Sequence, residues 1–106
     1  MEPAPWTASV VVIAAGYISR TGEILRGGGR KIHIDKEKVG RYHVIFDEAL
    51  SSPAIVVATS DGGLTYGRAE VVDSTVNGFH IEGQLGGESG AKLADIGFSF
   101  VACWCA

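Results

Sequence analysis

The chain is expected to be all-β, an antiparallel β-sandwich of about six to eight short strands, and three observations predict this class. Apolar residues recur at every second position, as in Ile32 and Ile34, Tyr42, Val44 and Phe46, or Phe79 and Ile81, which is the period of a half-buried strand. Turn chemistry returns at short intervals, at Thr21-Gly22, Asp61-Gly62 and Asn77-Gly78, where residues tolerant of positive φ close hairpins. No segment sustains a 3.6-residue period for three turns, and many short strands at this spacing favour two packed sheets over a parallel sheet. With 106 residues, positions 1–106 make one domain, with 1–7 as a flexible or extended lead-in.

The first strand is expected over Ser9 to Ile18, with Val10, Val12 and Ala14 alternating against Val11, Ile13 and Ala15. After the Thr21-Gly22 turn comes Glu23 to Arg26, stopped by the Gly27-Gly28-Gly29 run. Lys31 to Asp35 places Ile32 and Ile34 inward, and beyond the mixed-charge loop at Lys36 to Lys38 the strand Gly40 to Phe46 returns as its hairpin partner with an aromatic core face. Asp47 to Ser52 has the composition of a short helical turn that Pro53 ends, and Ala54 to Thr59 follows as a strand whose leading proline costs no ladder bond. Tyr66 to Asp73 and the segment after Asn77-Gly78 form a further hairpin, and the glycine-rich loop at Gly86 to Gly90 leads through Lys92 to Asp95 into the terminal strand.

That terminal strand sorts Ile96, Phe98, Phe100, Ala102 and Trp104 onto one face and Gly97, Ser99, Val101 and Cys103 onto the other. The bulky face is core. The smaller face is also apolar and requires cover, from the chain itself or from a copy of it. The first strand has the same two-sided character, so the two terminal strands are expected side by side.

Composition excludes several functions. The net charge is −3 and basic residues are scattered singly or mixed with acids, as in Asp35-Lys36-Glu37-Lys38, which is no nucleic-acid footprint. The longest apolar run, Ala8 to Ala15, is too short to span a bilayer, and the opening residues lack the pattern of a signal peptide; localisation stays open, a virion or secreted apparatus included. With 46% hydrophobic residues, apolar surface is left for a partner.

No catalytic constellation stands out, and no enzyme activity is expected. Arg26 to Arg30 lacks the Gly-Lys-Ser/Thr ending of a phosphate loop. Ser99 lies within a strand and lacks the sharp turn of a nucleophile elbow. His33, His43 and His80 fall on outward faces at spacings that give no metal signature, with proximity conceivable for His33 and His43. Neither a metal nor a cofactor is expected. Cys103 and Cys105, two apart on a strand, are about 7 Å apart and too extended for a mutual disulfide.

The run Tyr42 to Phe46, Pro53 followed by Ile55 to Val57, Ala69 to Val72, Gly78-Phe79 and the aromatic strand ending at Trp104 resembles the H-type lectin domain. Ala14-Ala15-Gly16 ahead of Gly40 to Phe46 is similar to the C-terminal tips of bacteriophage tail fibres. The resemblance covers most of the chain from Val10 onward. It implies a homotrimer, or a hexamer made of two trimers, that recognises a glycan or surface ligand through shallow sites repeated by assembly. The lectin family's sugar-stacking Trp falls near Gly86 and its sugar-contacting Arg near Tyr66, with Arg68 two residues on. Candidate ligand contacts are accordingly Tyr66, Arg68 and His80, with Asp61 and Glu88 in the adjoining loops. The alternative is a purely structural module that trimerises or caps a fibre without a ligand.

Overall fold

The computed structural model describes residues 9–61, 67–86 and 92–105. Among them are nine strands and no helix: β1 (Val10–Ile18), β2 (Ile24–Gly29), β3 (Ile32–Lys38), β4 (Arg41–Phe46), β5 (Ile55–Ser60), β6 (Gly67–Thr75), β7 (Gly78–Leu85), β8 (Lys92–Leu93) and β9 (Phe98–Cys105). They form two antiparallel sheets, one of four strands in the order β2-β1-β9-β5 and one of five in the order β3-β4-β7-β6, with β8 paired to β7. The terminal strands β1 and β9 are neighbours at the centre of the four-stranded sheet, from Val10 opposite Cys105 to Ile18 opposite Phe98.

The core lies between the sheets. Tyr42 and Val44 of β4 and Phe79 and Ile81 of β7 are fully buried against Ile18, Phe98, Phe100 and Ala102. Each of the valine, isoleucine and phenylalanine side chains contributes about 1.5–3 kcal/mol by leaving water. The rings meet at tilted and edge-on angles, with Phe79 and Phe100 centroids 5.1 Å apart and Tyr42 and Phe98 centroids 5.3 Å apart, the geometry that the aromatic quadrupole favours. The Tyr42 hydroxyl donates to the Arg20 carbonyl at 2.5 Å. Burial first, and then the Asp95 carboxylate, push the Tyr42 hydroxyl up to about 12, so it stays a donor. Gly16 explains itself here, since a Cβ on it would stand 2.8 Å from the Phe100 ring.

Several expectations change. The glycine run does not stop β2: Gly27, Gly28 and Gly29 continue it, opposite Gly16, Ala15 and Ala14. Gly29 has φ +90°, and a Cβ there would lie 2.2 Å from the Ile13 carbonyl oxygen, so glycine is what lets this edge strand approach β1. The simple alternation of β1 is broken by a bulge between Val12 and Ala14, which buries both Ile13 and Ala14 while Val10 and Val12 stay exposed. The segment from Asp47 to Ser52 is bent chain, not a helical turn; it is tied down by Asp47 N–H to the Lys31 carbonyl and Leu50 N–H to the Val76 carbonyl, with Leu50 in the core. The final strand begins at Phe98, although Ile96 is buried as its pattern demands. Trp104 is half-buried, packs against the core and donates its indole N–H to the Ser52 carbonyl at 3.1 Å.

Candidate functional site

The outward residues of the four-stranded sheet follow from the register. Val12, Cys103 and Ile55 form one cross-strand row, and Ala15, Val101 and Val57 form the next. Val12 on central strand β1 and Ile55 and Val57 on edge strand β5 are 59%, 53% and 65% exposed, a contiguous set of exposed β-branched side chains. Neither row contains a charge. The third row is Tyr17, Ser99 and Thr59, with Arg26 opposite Tyr17 on β2, and there the apolar surface ends.

At that end lies a shallow cleft of about 540 Å³, lined by Tyr17, Arg20, Leu25, Asp61, Leu85 and Ile96 among others. The Tyr17 hydroxyl donates to Asp61 Oδ2 at 3.0 Å. That bond, followed by the repulsion of Asp61's charge, raises the Tyr17 pKa above its ordinary value. Asp61 is held in turn by its own N–H, which donates to the Gly97 carbonyl at 2.7 Å. An aromatic ring, a carboxylate, the Arg20 side chain and the exposed Leu25 thus border one concavity.

The five-stranded sheet presents a different outer face. Arg68 donates through Nε and Nη2 to Gln84 Oε1, at 2.8 and 2.6 Å, and Gln84 Nε2 donates to Glu70 at 3.0 Å. Arg41 bonds Glu37 through Nε at 3.0 Å and Glu82 through Nη1 at 2.8 Å. Further along, His43 stands directly opposite His80, their rings stacked with centroids 4.0 Å apart. His80 Nδ1 lies 2.9 Å from Asp73 Oδ1 and its Nε2 lies 3.3 Å from Glu37 Oε1. Burial would raise both carboxyl groups, but Arg41 and His80 outweigh it at Glu37, and bonds from the His80 side chain and backbone outweigh it at Asp73, so both are lowered.

Among the described residues, the expected ligand contacts Asp61, Arg68 and His80 do not converge. Asp61 is in the cleft, Arg68 and His80 are on the outer face of the opposite sheet, and Tyr66 and Glu88 lie outside the described residues. Arg68 and His80 are also separated from each other by four residues of β7, about 13 Å along a strand. The ring neighbour of His43 is His80, whereas His33 bonds Asp47 at 3.2 Å. Tyr17 escaped the sequence reading; the signal available was an aromatic residue closing an apolar strand just before a turn. No family model matches the chain, and no curated protein and no solved structure matches it either.

Proposed function

We propose that this chain is a non-catalytic recognition module that assembles with copies of itself through the outer face of the four-stranded sheet and binds a glycan in the Tyr17–Asp61 cleft. The observation that carries the reading is the uncharged, β-branched surface of Val12, Ile55, Val57 and Val101 on the central and flanking strands of that sheet. Copies meeting there bury apolar area without desolvating an ion, and an exposed apolar patch of this kind marks an interaction surface. Tyr17 belongs to the same face, so assembly sets each cleft beside a subunit boundary. A sugar offers hydroxyl groups to Asp61 and Arg20 and an apolar ring face to Tyr17. Multiple shallow sites on one particle then raise avidity without new contacts. A trimer, or two trimers, is the assembly that the lectin and fibre-tip resemblance implies.

Sedimentation equilibrium in reducing buffer, followed by a glycan panel, tests the proposal. A mass of three or six chains with saturable binding that Tyr17→Ala and Asp61→Asn abolish at unchanged mass supports it. A monomer overturns it. The Tyr17–Asp61 bond already occupies the Tyr17 hydroxyl proton and one Asp61 oxygen, which favours a second, purely structural reading as a trimerising or capping domain; an assembled species silent on the panel selects that reading.

A further inference from the structure

We propose that Glu37, His43 and His80 form a binding site for a first-row divalent transition-metal ion of the zinc class. Each offers a ligand atom, and these atoms all lie within 4.8 Å of one another. Two imidazoles and a carboxylate are a donor set suited to Zn²⁺ and its neighbours, with ligand bonds of about 2.0–2.2 Å and an open fourth position. Closing three ligands onto such an ion asks the two stacked imidazoles, 14° from parallel, to turn toward each other and toward Glu37 on the outward face of the sheet.

The backbone is arranged for this convergence. Inward Tyr42 and Val44 turn His43 out, inward Phe79 and Ile81 turn His80 out, and β4–β7 pairing sets the two histidines opposite each other. The third ligand, Glu37, and Asp73 behind His80 arrive through irregularities. A break in the β3–β4 register falls between Lys36 and Lys38, at Glu37, and a second in β6–β7 falls between Val71 and Asp73. Bulges re-aim side chains and occur beside functional sites, and here each one flanks His80 from a different side.

The contacts of His80 add an independent argument. A neutral imidazole carries one N–H. With that proton on Nδ1, donated to Asp73 at 2.9 Å, the Nε2 lone pair faces the Glu37 carboxylate at 3.3 Å. That contact is satisfied either by a metal ion held between the two groups or by a proton on Nε2. A carboxylate behind the distal nitrogen is also how metal-binding histidines are oriented and made more basic. Asp73 would be the positioning residue of the site. Arg41 holds Glu37 by Oε1 alone and is itself shared with Glu82, so the carboxylate can turn its other oxygen to an ion.

The test is Zn²⁺ titration by calorimetry into the full chain with Cys103→Ser and Cys105→Ser, so that thiols do not compete. One ion per chain is expected, with affinity falling at least tenfold in His43→Ala and in His80→Ala and unchanged in His33→Ala. Asp73→Asn is expected to weaken binding by about 10–100-fold at unchanged stoichiometry, and Zn²⁺ is expected to raise the melting temperature of the parent but not of His80→Ala. No Zn²⁺ binding, which leaves the proton as the occupant, overturns the proposal, as does binding that survives both His43→Ala and His80→Ala. The cluster is on the sheet opposite the assembly face, so these outcomes are separate from those of the sedimentation test.

Discussion

The two outer sheet faces of this sandwich obey different rules. On the five-stranded sheet, inward apolar residues alternate mostly with outward polar ones, Ile45 of β4 and the exposed Val72 of β6 being apolar exceptions, and the polar set is knitted into pairs such as Arg41 with Glu82 and His80 with Asp73. On the four-stranded sheet the inward residues are equally apolar, yet the outward positions Val12, Ile55, Val57 and Val101 are apolar too and remain exposed. A sheet that only had to cover a core would gain solubility from polar residues there. The first face is finished as a surface in water, whereas the second carries the uncharged apolar area that the proposed assembly would bury.

Charging the apolar face breaks the comparison most severely. Val57 and Val101 are cross-strand partners, and the double substitution Val57→Asp with Val101→Asp is expected to reduce the proposed assembly to single chains, because contact between copies on this face would then desolvate carboxylates. The core lies on the other side of the sheet, so the circular dichroism spectrum of the isolated chain should stay that of a folded β protein. Unchanged mass in sedimentation would place the interface elsewhere.

The inner faces respond in another currency. Phe79 is fully buried and contacts the rings of Phe46 and Phe100, so Phe79→Ala is expected to cost about 3–5 kcal/mol, read from urea unfolding of the Val57→Asp, Val101→Asp chain to keep association out of the measurement. Parity along β4, β7 and β9 made this inner face legible from sequence, since Tyr42, Val44, Phe79, Ile81, Phe98 and Phe100 each sit on an uninterrupted two-residue period. The candidate site was much less legible. His43 and His80 could each be assigned outward by their neighbours, but only strand pairing decides that they face each other, and nothing local marks the bulges that bring in Glu37 and Asp73. The lone Asp61 was identifiable as a loop acid, whereas its partner Tyr17 comes from a strand 44 residues away.

Edge strand β2 tests how the glycines serve the apolar sheet. Gly29→Ala must fit a side chain against the Ile13 carbonyl at positive φ, and a cost of about 1–3 kcal/mol is expected, with loss of amide-exchange protection along β2. Gly28, its neighbour on β2 opposite Ala15, has open space where its Cβ would be, so Gly28→Ala is expected to be neutral within about 0.5 kcal/mol. Equal effects from the two would mean that β2 is not held against β1 as its register requires.

The smallest expected effect separates the faces by acid. Asp95 accepts the Gly40 N–H at 2.8 Å and an ion pair from Lys36 Nζ at 3.1 Å, fastening the β3–β4 turn to the chain that leads into β9. The Gly40 bond, opposed by burial and aided by Lys36, holds this carboxyl below its usual 3.8. A carboxyl lowered in the folded state stabilises the fold wherever the unfolded chain would also be ionised, and that contribution is lost as pH falls from about 4 through the folded value. Asp95→Asn keeps an acceptor for Gly40 but removes the charge. Its melting temperature should therefore lie slightly below that of the parent at pH 7, by the equivalent of about 1 kcal/mol or less for so exposed a pair, and converge with it below pH 4. The four-stranded sheet's outward rows of Val12, Cys103, Ile55, Ala15, Val101 and Val57 hold no carboxylate, so acid should loosen the turn on the charged side while leaving the proposed apolar association intact; dissociation that tracks the Asp95 titration would show that the two faces are coupled.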